Sequence, residues 1–177
     1  LVSGGPPGSG KTTVAERWAA ARGYVFVSAG TRFRAMARER EMTLEELGRA
    51  AEKDPSIDRA LDAAVLDEIR AQQAAGANIV VDGRIQAYLL MRQRIPCLKV
   101  LIDAPLEVRA RRIAQREKTK VADAKREILS REASERVRYG AIYGIDLQGT
   151  SVFDLVVDSG GKTPDEIVSM IAAQVRG

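Results

Sequence analysis

Gly5-Pro6-Pro7-Gly8-Ser9-Gly10-Lys11-Thr12 decides the fold of this chain. It fits G-x-x-x-x-G-K-[ST], the phosphate-binding P-loop pattern. Glycines let the backbone curl until successive N–H groups point at one anion. A helix that begins where the loop ends adds its unpaired N–H groups and the positive end of its dipole. Lys11 is long enough to reach β- and γ-phosphates, and the Thr12 hydroxyl is placed to hold Mg²⁺. Pro6 and Pro7 have fixed φ and stiffen the loop before a ligand arrives. Working outward, Leu1-Val2-Ser3 reads as the end of a buried strand and Thr13 to Ala21 as a helix. Strand, loop and helix in that order are the context a triphosphate site needs. Nucleotide binding is expected around Gly5, Pro6, Pro7, Gly8, Ser9, Gly10, Lys11, Thr12 and Thr13. A strand usually runs about five residues, so the natural chain is expected to begin before Leu1.

The 177 residues suit one α/β domain with a full core. A hydrophobic content of 45% excludes a disordered chain. No apolar run is long enough to span a membrane, and no signal peptide is visible, so a cytoplasmic protein without a membrane partner is expected. With no histidine and one cysteine, Cys97, the chain has no disulfide framework, no zinc site and no Ser-His-Asp triad. Catalysis must use Lys, Arg, Asp, Glu, hydroxyls, backbone and a bound metal. The net charge is +4, and Pro105 to Gly140 carries eleven Lys/Arg against six Asp/Glu. Such a basic segment suits a polyanion. The P-loop favours a nucleoside triphosphate over a nucleic acid.

After Gly23, Tyr24 to Val27 reads as a second strand. Ser28-Ala29-Gly30 then turns into a helix from Thr31 to Glu39, a second strand-to-helix corner facing the same crevice. Arg34 lies one turn in, able to reach an anion there, with Arg32 and Arg38 as alternatives. Thr43 and Glu46 form a capping box, and Asp54-Pro55 opens a long helix from Ile57 to Gln73. Residues 31–75 thus read as a helical insert able to close over a second ligand. Ala77 to Asp82 is a buried strand ending in an acid that can hold Mg²⁺, followed by Gly83-Arg84 as a candidate phosphate clamp. Leu98 to Asp103 is a further strand, with Asp103 placed as an N-cap. Arg112 and Arg116 share a face of the helix from Pro105, and Glu117 to Lys120 is a polar hinge. Arg131, Glu135 and Arg138 share a face of the helix that follows. Residues 112–138 read as a lid. Tyr139 to Gly149 reads as loop, Ser151 to Asp158 as the last strand, and Ile167 to Val175 as the final helix behind Thr163-Pro164.

A regulatory GTPase would need an Asn-Lys-x-Asp element, and the only asparagine is Asn78, inside a strand. A motor ATPase usually needs more chain. A small-molecule kinase needs what is present: a P-loop, a second anion site and several arginines, because phosphoryl transfer depends on positioning and neutralised charge.

The chain resembles the archaeal-type cytidylate kinases within the nucleoside monophosphate kinases. The likeness is carried by Ser3 to Thr13, Ser28-Ala29-Gly30 with Phe33-Arg34, Met42 to Glu46, Asp54-Pro55 with Ile57-Asp58, Gly83-Arg84, Ala104 to Arg109, Arg131-Glu132 with Glu135 and Arg138-Tyr139, and Ile142 to Asp146. The resemblance implies a three-layer P-loop kinase fold with a five-stranded parallel sheet, a monophosphate-binding insert and a lid. It implies γ-phosphoryl transfer from Mg²⁺-ATP to CMP or dCMP; a monomer is expected. By motif position, Arg34 and Arg84, with Ser28, Gly30 and Gly83 at their corners, resemble the acceptor site. Arg131 and Arg138 resemble a catalytic pair beside Lys11, and Glu135 an acid near the acceptor sugar. Arg112 and Arg116 resemble ATP-side lid arginines; Thr12 and Asp82 are the metal candidates. An AMP or UMP kinase, or a non-catalytic ATP- or RNA-binding protein, is the alternative. Thr31 stands where the family usually has Asp, and Glu41 where it usually has Gly.

Overall fold

The computed structural model describes residues 1–175. Five parallel strands form one sheet in the order β2-β3-β1-β4-β5. They are β1 (Val2–Gly4), β2 (Val25–Ser28), β3 (Ile79–Asp82), β4 (Lys99–Asp103) and β5 (Leu155–Asp158). The helices are α1 (Lys11–Arg22), α2 (Ala29–Glu39), α3 (Leu44–Lys53), α4 (Ser56–Ala74), α5 (Gln86–Arg92), α6 (Leu106–Glu117), α7 (Val121–Tyr143) and α8 (Pro164–Val175).

Side-chain alternation along the strands sorts the core into two halves. Val80, Val100 and Ile102 pack on Trp18 of α1 and Ile167 and Ile171 of α8. Val2, Val27 and Val81 face the opposite way, onto Leu61, Val65 and Ile69 of α4 and Leu90 of α5. The result is the expected three layers. A smaller cluster of Ala37, Leu47, Ala51 and Ile57 joins α2, α3 and α4. Another, with Ala110, Ile113, Ala124 and Ile128, holds α6 to α7.

Four local expectations are corrected. Of the loop expected over Tyr139 to Gly149, only 144–149 is loop: α7 continues to Tyr143 and stops at Gly144, which takes φ 61°. Tyr139 packs on Ile85, Leu89 and Ile145, and this burial carries the helix through Gly140. Ser151 to Phe153 is not strand, because Val152 and Phe153 reach the core from a turn. Asp103 does not cap α6; its carboxylate accepts from its neighbour Ala104 N–H at 2.7 Å, and the helix starts behind Pro105. Helix α5 stands where no helix was expected. The Thr43–Glu46 capping box is present as read. Glu41 has φ 55°, so the glycine usual in the family at this position would be the relaxed residue.

Candidate active site

The P-loop joins β1, in the middle of the sheet, to α1. Close packing dictates its glycines. Gly5 has φ 145°, and a Cβ there would lie 2.0 Å from the Ile102 carbonyl. At Gly8, φ 80°, a Cβ would lie 2.8 Å from the Arg109 carbonyl. The loop's carbonyls are held from outside. Pro7 accepts from Arg109 Nη1 at 3.3 Å, and Ser9 accepts from Ser159 Oγ at 2.7 Å and Arg112 Nη1 at 3.1 Å. The first bond of the helix ladder runs from Val14 N–H to Gly10. The amides of Lys11, Thr12 and Thr13 therefore stand at the positive end of α1, a ready anion site.

Lys11 donates to the Pro6 carbonyl at 3.4 Å. Burial pushes its ammonium down to about 8, with Asp82 and Glu135 opposing and Arg131 and Arg84 reinforcing the shift. It is still mostly protonated at neutral pH, and it feels the charges of both halves of the crevice.

Asp82 is buried at the end of β3. Its Oδ2 accepts from Thr12 Oγ1 at 2.8 Å and from Ser28 Oγ at 3.3 Å, while Oδ1 is buried with no hydrogen-bond partner among the described residues. A buried carboxylate oxygen without a partner beside a P-loop hydroxyl fits a hard cation. Among the described residues no cluster of three or more His, Cys, Asp or Glu could hold a metal by itself. That fits Mg²⁺, which takes few protein ligands and relies on phosphates and water.

Next to Lys11 stands a group of alternating charges. Glu135 on α7 is buried and accepts from Arg84 Nε at 2.6 Å and from Arg131 Nε at 2.8 Å. Burial alone would raise the Glu135 carboxyl, but the two guanidiniums overcome it and hold it at about 2. Two arginines are thereby fixed side by side in the crevice, and their remaining N–H groups suit phosphate oxygens. Gly83 is needed because a Cβ there would meet Gln86 Oε1 at 1.9 Å. Ser28 caps α2 by accepting from Thr31 N–H at 3.2 Å. Arg34 is exposed and donates to Thr31 Oγ1 at 2.8 Å. A Cβ on Gly30 would lie 3.5 Å from Arg34 Nη1.

Deeper between α4 and α7 lies a second polar cluster. Arg138 Nη1 donates to Asp58 Oδ1 at 2.6 Å, and both side chains are buried. Burial raises the Asp58 carboxyl against the pull of Arg138. Asp62, one turn on, accepts from Tyr143 Oη at 2.7 Å and from Gln86 Nε2 at 3.1 Å. Burial pushes Asp62 up to about 7.

The structure thus brings Lys11, Thr12 and Asp82 together, and Arg84, Arg131 and Glu135 together beside them. Arg112 stands over the back of the P-loop. Arg116 does not join it: it is exposed and pairs with Glu117 at 2.7 Å.

The model of the cytidylate kinase-like family matches residues 4–161. The chain belongs to that family. A cytidylate kinase from Methanopyrus kandleri is 40% identical over 182 residues, covering 99% of this chain and 92% of the relative. Another from Desulfurococcus amylolyticus is 43% identical over 159 residues, covering 90% and 83%. Among solved structures, an uncharacterized protein from Eubacterium ventriosum is similar with TM-score 0.72 at 17% identity, over 99% of this chain and 97% of that one. A shikimate kinase from Acinetobacter baumannii gives TM-score 0.60 at 16% identity, over 98% and 91%. These structural likenesses show the P-loop kinase fold.

Within this family member, sequence reasoning gave no role to Arg109, Asp58 or Asp62. Arg109 is buried, donates to the Ala104 carbonyl at 2.9 Å and pairs with Glu132 at 2.7 Å while holding Pro7. It links α7 to the P-loop. A signal for the acids was present: Asp58 and Asp62 lie four apart, each directly after an apolar residue of the buried stripe, Ile57 and Leu61.

Proposed function

We propose that the chain transfers the γ-phosphoryl group of ATP to CMP or dCMP, giving ADP and CDP or dCDP. The observation that carries this reading is the arrangement around Lys11: Thr12 bonds Asp82 on the P-loop side, Glu135 holds Arg84 and Arg131 on the other, and all four charged groups act on the Lys11 ammonium. A donor phosphate on the P-loop and an acceptor phosphate on the arginines would meet across it. The cytidylate kinases named above, covered almost end to end, supply the acceptor's identity.

In the reaction an oxygen of the CMP phosphate attacks the γ-phosphorus, and the bond from that phosphorus to the β–γ bridging oxygen breaks. ADP leaves with the electron pair. No acid or base is required, because the attacking phosphate oxygen is already charged. Charge spreads over the equatorial oxygens of the moving group, so the enzyme's task is positioning and electrostatic stabilisation. The P-loop amides and Lys11 hold the β- and γ-phosphates. Arg84 and Arg131 hold the acceptor phosphate, with Arg34 turning in from α2 and Arg138 lining the acceptor side. Glu135 fixes Arg84 and Arg131 before substrate arrives, so little reorganisation remains for the transition state. Mg²⁺, held by Thr12 and Asp82 with the ATP phosphates, would screen the donor's charge. Residues 31–75 and 112–138 would close as insert and lid, bringing Arg116 inward and excluding water. The enzyme is read as a cytoplasmic monomer acting on small nucleotides. Among the described residues no helix is long and apolar enough to cross a membrane.

The test is ADP formation from ATP with CMP, dCMP, UMP, AMP and GMP offered in turn. CMP or dCMP should stimulate most. No stimulation by any monophosphate would overturn the kinase reading, and strongest stimulation by AMP would overturn the cytidylate reading.

A further inference from the structure

Arg109 is a buried guanidinium that ties three parts of the molecule together. Its Nε donates to the Ala104 carbonyl, behind β4, at 2.9 Å. Its Nη1 donates to the Pro7 carbonyl of the P-loop at 3.3 Å and to Glu132 Oε1 of α7 at 2.7 Å. The Arg109 and Glu132 side chains are only 9% and 20% exposed, so solvent and salt screen the pair little. The backbones meet here as well. A Cβ on Gly8 would lie 2.8 Å from the Arg109 carbonyl and 3.0 Å from the Arg109 Cβ. The P-loop is thus seated directly on α6 at the residue that reaches across to α7.

The place of Glu132 on α7 links this joint to the transfer site. Glu132 directly follows Arg131 and precedes Glu135 within the same helical turn. That turn carries two carboxylates committed to different elements. Glu135 takes Arg131 and, from the turn after β3, Arg84. Glu132 takes Arg109 and through it the P-loop. Arg131 therefore stands between an anchor to the acceptor side and an anchor to the donor loop. A planar guanidinium holds its acceptors in one fixed relative geometry, which a flexible ammonium does not.

We propose that Arg109 and Glu132 are positioning residues that set Arg131 at a fixed place relative to the phosphates on the P-loop. This rests on the phosphotransfer reading above and names the contacts that hold its two halves in register. With the Glu132 carboxylate removed, Arg131 keeps its bond to Glu135 and still meets the acceptor phosphate. What it loses is its register with the donor loop. That register counts while the phosphoryl group is between the two substrates, where a misplacement of about 1 Å costs about 10²-fold in rate. The loss therefore falls on kcat rather than on either KM.

The experiment measures kcat, KM for CMP and KM for ATP in Glu132→Ala, Arg131→Ala and the double variant, well below every melting temperature. Glu132→Ala should lower kcat about ten-fold or more, with both KM values within about three-fold of wild type. Glu132→Gln, which keeps an oxygen for Arg109, should recover most of that loss. In the Arg131→Ala background, Glu132→Ala should cost less than about two-fold more, because it acts through Arg131. A bond that only stabilises the fold would lower the melting temperature and spare kcat, or lose the same factor in both backgrounds; either result would overturn the assignment. So would a loss confined to one KM. Should Glu132→Ala lack a cooperative melt, Arg109→Lys decides. It keeps the charge but cannot span three acceptors, so kcat should fall about ten-fold with both KM values held, and an unchanged kcat would refute the role. Failure of the wild-type chain to use any monophosphate would overturn the phosphotransfer reading and this one together. Equally good turnover of CMP by the wild-type chain and Glu132→Ala would overturn this one alone.

Discussion

Replacing Glu135 with glutamine should unfold the chain at markedly lower temperature, and acid should narrow the difference. The side chain is 3% exposed and bonded to two arginines. Its carboxyl is lowered from the ordinary 4.5 to about 2. At about 1.36 kcal/mol per pH unit, that drop contributes about 3 kcal/mol at neutral pH. Removing one partner of a buried ion pair independently costs about 3–5 kcal/mol. The lower figure is the better one here, since Arg131 is 46% exposed and its arm is screened by solvent. For a chain of this size a loss of about 3 kcal/mol lowers the melting temperature by roughly 6–12 °C. The sign with pH follows from the depressed value. The contribution is fully present above pH 4.5 and is lost as pH falls through about 2. Roughly 2 kcal/mol of it should be gone by pH 3. Differential scanning calorimetry from pH 7 down to pH 3 should show the wild-type chain losing stability faster than Glu135→Gln, so that the two curves converge. CMP at saturation should raise the variant's melting temperature more than the wild type's, because a phosphate dianion neutralises the two arginines left bare. A variant melting within about 2 °C of wild type at pH 7, or one with the wild-type acid slope, would refute the reasoning.

Lys11→Ala should lower kcat about 10²–10³-fold or more with the melting temperature little changed, as removal of one charge-stabilising donor does; retained turnover in a coupled ADP assay would remove Lys11 from the mechanism. Asp82→Asn should raise the Mg²⁺ concentration needed for half-maximal rate at fixed ATP, and an unchanged Mg²⁺ titration would dissociate Asp82 from the metal. Burial raises Asp62 from 3.8 to about 7, so its ionisation opposes folding progressively as pH rises between those values, by up to about 4 kcal/mol. Asp62→Asn, whose amide can still bond Tyr143 and Gln86, should therefore melt higher than wild type at pH 8 and no higher at pH 4. Glu41→Gly should stabilise the chain by about 0.5–1 kcal/mol by relaxing its positive φ, read as a rise in the urea midpoint.

The P-loop octapeptide determined most of the donor half of this protein. Gly5, Gly8 and Gly10, the lysine and the hydroxyl act through local geometry, so their spacing along the chain is their arrangement in space. The five strands along the chain and the capping box at Thr43 were legible for the same reason, since strand and helix patterns are local, whereas the strand order β2-β3-β1-β4-β5 came only with the tertiary structure. The acceptor half is different. Arg84, Arg131 and Glu135 come from α7 and the turn after β3, and only folding brings the buried carboxylate between the two guanidiniums. The sequence presented Arg131, Glu135 and Arg138 as one helix face, and tertiary packing split it. Glu135 turns to Arg84, while Arg138 goes to Asp58 on the insert. Tyr139 made the other difference, since its burial against α5 extends α7 through a glycine that local propensity reads as a break. Local chemistry wrote the phosphate cradle into consecutive residues. Which buried charges share a field depends on contacts between residues far apart in the chain, eighty positions for Asp58 and Arg138, and those exist only once the sheet and its helices have closed around them.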